Sequence, residues 1–418
     1  MFDRPIAISL SPNTKPDDVR QAASSLLNIY NWQKGSWEKK VISWFKKYFQ
    51  VNQVYLFNSG RSALYCLLKS FNIGPGMEVI IQSFTCVAVP DPIIWVGAKP
   101  VYSDIDNSLN IDPAQLTQYI TDKTKAIIVQ HTFGIPAQIH MIKKITQKYN
   151  LILIEDCAHS LGATHQGKRI GSFGDAAFFS FGRDKVISSV FGGAAFIRNK
   201  SENLKNLSNI YSSLSYPDYK WIVKQVIHPL AFFFILPLYN YYLGKFILYC
   251  FQKITLLSKP IEPIELTGGL PSFIPYKLPN ALARLAYHQL KKLSLFNVRR
   301  QAIARFYFRQ LKDINNIFLP PDNKEAIYLR FNILVKNRDK LYRFFRQYHI
   351  LLGLWYANVI DPAGVEFDKI AYTKGSSEYA EKMASLSLNL PTYPSLTDKD
   401  SGYIVELIRK YADKNNRR

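Results

Sequence analysis

"LILIEDCAHS", residues Leu151 to Ser160, sets an apolar run directly ahead of two carboxylates, Glu155 and Asp156. A short apolar run bounded by polar residues reads as a strand buried on both faces, the kind found in parallel sheets. A carboxylate at the end of such a strand is costly unless it meets a cation or a hydrogen-bond donor. Asp156 therefore asks for something positive in front of it; a helix cap or a structural salt bridge answers the same need.

The surrounding sequence repeats the pattern. "VYLFNSG", "EVIIQSF", "KPVYSDI" and "AIIVQHTFG" precede the stretch, and "AAFFSFG" and "GAAFIRN" follow it. Amphipathic stretches such as "QIHMIKKITQKYN" lie between them. Strands alternating with helices predict an α/β domain with a mostly parallel sheet. Ligands of such sheets collect at the carboxyl ends of the strands, so the residues that close each run are the ones to inspect.

Three more strand ends carry chemistry. In "FNSGRSALYCLLKSF" a helix opens near Arg61, and Ser59, Gly60 and Ser62 make a cradle of the kind that binds phosphate at a helix N-terminus. The same residue types are also ordinary helix caps. "QSFTCVAVP", which includes Cys86, turns from strand to helix and forms another wall. "FFSFGRDKVISSVFGGAAF", Phe178 to Phe196, supplies Ser180 and Lys185. A phosphate cradle, a strand-end aspartate and a later lysine are what pyridoxal phosphate needs. Its phosphate needs donors, its ring nitrogen an anion, and its aldehyde an amine.

The sequence resembles the DegT/StrS family of pyridoxal-phosphate sugar aminotransferases, which have the type I, aspartate-aminotransferase fold. "SGRSAL" stands for the family's SGTAAL, "GAKPVYSDID" for GAKPVFVDID, "IEDCAHSLGA" for EDAAQALGA, "FFSFGRDK" for FSFHPTK, and "LNLPTYPSLT" for LPTYPSLT. The resemblance implies that Lys185 forms the internal aldimine and that Asp156 pairs with the pyridine nitrogen. It implies that Ser180 and the turn Gly60–Arg61–Ser62 hold the phosphate, and that His159, where the family usually has glutamine, lies beside the ring. The implied reaction takes an amino group from an amino acid, commonly glutamate, to the keto group of a nucleotide-linked sugar. A homodimer is implied as well.

Several positions depart from the pattern. Arg61 replaces a threonine of the phosphate turn, Cys86 replaces an aromatic that stacks on the cofactor, and "VFGG" replaces a glutamate followed by two glycines. Pro275 and Lys277 stand where the partner subunit normally offers asparagine and arginine. These departures keep open a non-catalytic sensor or membrane scaffold of the same fold. A sugar dehydratase of this fold carries histidine at the Schiff-base position, which Lys185 opposes.

The 418 residues carry 53 Lys and Arg against 31 Asp and Glu, a net charge of +22, and 48% are hydrophobic. That composition excludes a mostly disordered chain and invites an anionic partner. The basic residues are scattered and match no nucleic-acid module, so no nucleic-acid partner is expected. The spacing of the four cysteines predicts neither disulfides nor a metal site. With no signal-like start, the enzyme body is expected in the cytoplasm.

Three regions are expected: a large domain over 1–200 with an N-terminal arm at 1–30, an aromatic-rich apolar insert over 201–275, and a smaller α+β domain over 276–418. One long helix is expected from about Leu278. The insert's "QVIHPLAFFFILPLYNYYLG" has no formal charge. It is too short for the two crossings that would return the chain to one side of a bilayer. Pro229 and Pro237 are expected to break its helix. The reading is a helical hairpin over residues 221–251 lying on the inner membrane face, with Lys220, Lys224, Lys245 and Lys253 toward acidic headgroups. A buried insertion packed on the body or in a dimer contact is the alternative.

Overall fold

The seven apolar runs become the seven strands of one sheet: β1 (Tyr55–Phe57), β2 (Glu78–Gln82), β3 (Lys99–Ser103), β4 (Thr124–Gln130), β5 (Ile152–Asp156), β6 (Ala176–Ser180) and β7 (Gly193–Ile197). The structure is a computed structural model describing residues 4–198, 201–253 and 256–416. The sheet order is β1-β7-β6-β5-β4-β2-β3. Only β7 runs antiparallel to its neighbours; the other pairings are parallel. Helices cover both faces, which is why the strands are continuously apolar rather than alternating.

The helices before and within this sheet are α1 (Pro16–Leu26), α2 (Ser36–Phe49), α3 (Gly60–Ser70), α4 (Pro90–Trp95) and α5 (Ile139–Lys148). After it come α6 (Ser201–Ser213), α7 (Tyr219–Leu238), α8 (Leu243–Lys253), α9 (Asn280–Leu290) and α10 (Leu293–Leu311). The C-terminal part pairs β8 (Ile317–Phe318), β9 (Phe331–Val335) and β10 (Ser387–Leu390) as an antiparallel sheet. The helices α11 (Arg338–Arg346), α12 (Glu378–Leu386) and α13 (Asp398–Asn416) accompany it. The mostly parallel sheet and the α+β character of this part are as expected.

Two expectations about helices are corrected. The long helix from Leu278 is two helices, α9 and α10, parted at Lys291 and Lys292. At the break, Lys292 reaches Asp17 and Asp18 on α1 at 2.9 and 2.8 Å. The prolines do not break α7: Pro229 and Pro237 both lie inside it. Burial outweighs the lost backbone bond, because Ile222, Val226, Pro229, Ala231 and Ile235 are turned inward.

The two ends of the insert's helical pair differ in burial. The start of α7 is body core, with Ile222 and Val226 in the same cluster as the sheet residues. Phe234, Tyr241, Tyr242, Leu243, Phe246 and Tyr249, at its far end and on α8, are exposed.

Candidate active site

The carboxyl ends of β1, β5 and β6 lie on one edge of the sheet, and the register aligns them. Phe178 on β6 is opposite Asp156 on β5, and Gly193 is opposite both Ser180 and Phe57. A Cβ on Gly193 would stand 2.6 Å from the carbonyl oxygen of Ser59, and one on Gly60 would stand 3.0 Å from Cβ of Ser180. Glycine at both places lets the α3 turn close against the end of β6. The second glycine of "VFGG" has this as its structural reason.

Adjacent residues of a strand point to opposite faces, and the two acids of β5 accordingly part company. Glu155 accepts the N–H groups of Gly171, Phe173 and Gly174 at 2.7, 2.6 and 2.7 Å. Burial raises its pKa, but the neighbouring His131 and the backbone amides outweigh that and hold it below the ordinary value. Among the described residues Asp156 takes a single N–H on its carboxylate, from Ala158 at 2.9 Å. Burial raises its pKa above the ordinary value, against the opposing pull of the Ala158 amide and the nearby Lys185. Glu155 is thus a structural acid, whereas Asp156 retains acceptor capacity for a cation.

Lys185 is half-buried and its Nζ lies 2.9 Å from Nε2 of His159. The His159 Nδ1 accepts the N–H of Phe133 at 3.3 Å. Burial, reinforced by the charges of Lys185 and Arg330, drives the pKa of His159 well down, so the ring is neutral. With Nδ1 accepting, its proton sits on Nε2, facing the lysine. Phe133 stacks on this ring at 5.9 Å, and Tyr356 from the C-terminal part lies at 6.3 Å.

The turn before Lys185 is held from several sides. Asn13 donates to the Lys185 carbonyl at 2.5 Å, and the fully buried Arg300 donates to the Val186 carbonyl at 2.8 Å. Asp184 ion-pairs with Arg330, whose guanidinium stacks on Trp355 at 3.7 Å. Burial raises the Asp184 pKa, but the charges of Arg330 and Lys185 prevail and it lies below the ordinary value.

The phosphate turn differs from expectation in its side chains. Ser59 caps α3 by accepting the Ser62 N–H at 3.0 Å, and the Ser62 hydroxyl donates to Asn58 at 2.7 Å. Arg61 turns away from the turn to pair with Glu265 and the Pro260 carbonyl. A phosphate there would meet the free first-turn N–H groups of Gly60 and Arg61, which lack intrahelical acceptors, and the Ser180 hydroxyl. Cys86 lies on the short strand Thr85–Cys86 that pairs with Ile360–Asp361. The aromatics close to His159 are Phe133 and Tyr356; Phe84 packs behind them, 6.1 and 5.2 Å from each. Lys277 is tied within its own chain, its N–H to the Ser215 carbonyl at 3.0 Å.

The residues present fit pyridoxal phosphate. A glycine turn at a helix N-terminus, a buried carboxylate with spare acceptor capacity and a half-buried amine share one edge. Asn13, Arg300, Arg330 and Tyr356 were not picked out from the sequence. Only Arg330 left a signal, a charge inside the apolar run "YLRFNILV".

The architecture is the type I fold of pyridoxal-phosphate-dependent transferases. The chain belongs to the DegT/DnrJ/EryC1/StrS aminotransferase family, which it matches over residues 14–219 and 273–409. The unmatched stretch holds nearly all of α7, α8 and the return from them. It is 28% identical over 402 residues, 95% of each chain, to the pleiotropic regulatory protein of Geobacillus stearothermophilus. It is 29% identical to the dTDP-3-amino-3,6-dideoxy-alpha-D-galactopyranose transaminase of Aneurinibacillus thermoaerophilus, over 84% of each chain. The solved structure of NtdA from Bacillus subtilis with bound cofactor PMP shares the fold at TM-score 0.74 and 20% identity, covering 99% of this chain and 87% of that one.

Proposed function

We propose that this aminotransferase moves an amino group from an amino acid, glutamate being the first donor to try, onto the keto carbon of a nucleotide-activated sugar, with pyridoxal phosphate as cofactor. The observation that carries the reading is the convergence of Lys185, His159 and Asp156 beside the N-terminus of α3. The transaminase relative from Aneurinibacillus supports the sugar class, and the PMP-bound neighbour supports the cofactor.

When bound, pyridoxal phosphate supplies an aldehyde to carry the amino group and a ring that withdraws electrons. Asp156 would face the ring nitrogen, where burial favours a tight pairing with a cation. Ser180 and the N–H groups of Gly60 and Arg61 would hold the phosphate. Lys185 would hold the aldehyde carbon and, once released, carry a proton between the substrate carbon and the cofactor carbon. His159 orients the amine through Nε2. Tyr356 and Phe133 keep water away from it.

The working unit in this reading is a homodimer in the cytoplasm, and the insert rests on the inner face of the membrane. Exposed aromatics on α8 with Lys245 over the Tyr242 ring at 4.4 Å suit an interface of anionic lipid. Loading the protein with pyridoxal phosphate and adding glutamate tests the chemistry. The visible band should bleach with release of 2-oxoglutarate; a wild-type protein that never takes up the cofactor overturns the reading.

A further inference from the structure

The return segment of the insert touches both loops that carry the proposed chemistry. Arg61, in the first turn of α3, pairs with Glu265 and donates to the Pro260 carbonyl at 3.0 Å. Where the insert rejoins the C-terminal part, Asn58 donates to the Phe273 carbonyl at 2.7 Å, and its N–H goes to the Tyr276 carbonyl at 2.9 Å. Arg183, two residues before Lys185, donates to the carbonyl and the hydroxyl of Ser258 at 2.6 and 2.8 Å. The Ser258 hydroxyl in turn donates to Gln225 on α7 at 2.6 Å, and Gln225 is fully buried. Phe191 packs edge-on against Trp221 of α7 at 5.5 Å and against Phe273 at 6.0 Å.

Two of the departures from the family pattern, Arg61 and the "VFGG" stretch with Phe191, therefore face the insert. The lysine turn itself sends three consecutive side chains in three directions. Arg183 goes to the insert, Asp184 to Arg330 of the C-terminal part, and Lys185 to His159. The turn is closed by the Lys185 N–H on the Gly182 carbonyl at 3.2 Å. Moving Arg183 moves the root of the lysine.

We propose that the insert is a positioning element of the active site, in which Gln225 and Ser258, acting through Arg183, hold the turn that aims Lys185. The proposal rests on the reading of Lys185 as the cofactor-bearing amine. Hydrogen bonds from a guanidinium are stronger than neutral ones. Among the described residues the Arg183 Nε is already buried without a partner, so loss of Ser258 leaves the group further short of acceptors. A short surface anchor would need none of these bonds; the insert makes them to residues beside the reacting amine.

The test compares Ser258→Ala, Gln225→Met and Arg183→Met with Phe246→Ser, a substitution on the exposed side of α8. Amide hydrogen exchange of the peptide 180–192 is followed in cofactor-free protein, and pyridoxal phosphate affinity and the pH at which the visible band shifts are read by absorbance. Exchange should quicken and affinity fall about tenfold in Arg183→Met, with smaller changes of the same sign in Ser258→Ala and Gln225→Met. Phe246→Ser should match wild type. Wild-type exchange and affinity in Arg183→Met and Ser258→Ala, with folding intact by circular dichroism, would overturn the proposal. Quickened exchange in a protein whose wild type takes up no cofactor would remove the role of Lys185 and leave the coupling to the turn standing.

Discussion

The Nζ of Lys185 lies 2.9 Å from Nε2 of His159, and the other ring nitrogen of that histidine is held by the Phe133 N–H. A neutral imidazole fixed in one tautomer presents its Nε2 proton to the amine nitrogen, which can accept it only while uncharged. His159→Gln keeps an amide donor within reach of the lysine, whereas His159→Phe removes both hydrogen bonds. We expect kcat/KM to fall less than about tenfold for glutamine and by about a hundredfold for phenylalanine, read by steady-state assay.

The two acids of β5 should respond in opposite ways. Asp156→Asn should leave the melting temperature close to wild type and lower turnover by about a hundredfold or more, the result expected of a residue whose role is the proposed pairing with the ring nitrogen. Glu155→Gln should cost about 3 kcal/mol by urea denaturation, because three amide donors lose a charged acceptor. The Glu155 contribution is present above its ordinary pKa of 4.5 and fades as the pH falls below it, because its folded pKa is lowered.

Arg61 and Glu265 form a buried pair, with Glu265 fully enclosed. Breaking such a pair from one side costs about 3–5 kcal/mol. Arg61→Thr, which restores the residue usual in the family, should therefore destabilise the protein when made alone. Adding Glu265→Gln should recover much of the loss. The double-mutant cycle by chemical denaturation measures the coupling.

Asp91 gives a pH dependence of the opposite sign. Both its carboxylate oxygens are buried without a hydrogen-bond partner among the described residues, and burial, opposed by Arg61, pushes its pKa up to about 8. The folded protein holds a proton there that the unfolded chain releases near 3.8. Stability should thus fall as pH rises between these values, by up to about 1.4 kcal/mol per unit. Asp91→Asn should flatten the slope in melts recorded from pH 5 to 8.

Membrane association is tested by flotation on vesicles containing anionic lipid. The wild type should float, the double variant Tyr242→Ser/Phe246→Ser should float less, and added salt should weaken both. Equal flotation of the two forms would contradict a role for the α8 face.

All seven strands of the main sheet were legible because each is a short apolar run bounded by polar residues or glycine, and Asp156, Ser180 and Lys185 could be found by inspecting where those runs end. What the sequence did not disclose depends on distant pairing. Arg61 has the position of a phosphate ligand, and only the fold reveals that Glu265, two hundred residues on, captures it. Pro229 and Pro237 break helices in isolation, but Ile222, Val226 and Ile235 bury α7 so firmly that it continues through them. Tyr356 reaches His159 from a different part of the chain, which no local motif encodes.

Lys185 is the amine proposed to carry the cofactor. Borohydride reduction of the protein loaded with pyridoxal phosphate, followed by peptide mass mapping, tests it most directly. A phosphopyridoxyl group is expected on Lys185 and should be absent from Lys185→Ala. Stable modification of another lysine, or none in a protein that binds the cofactor, would contradict it.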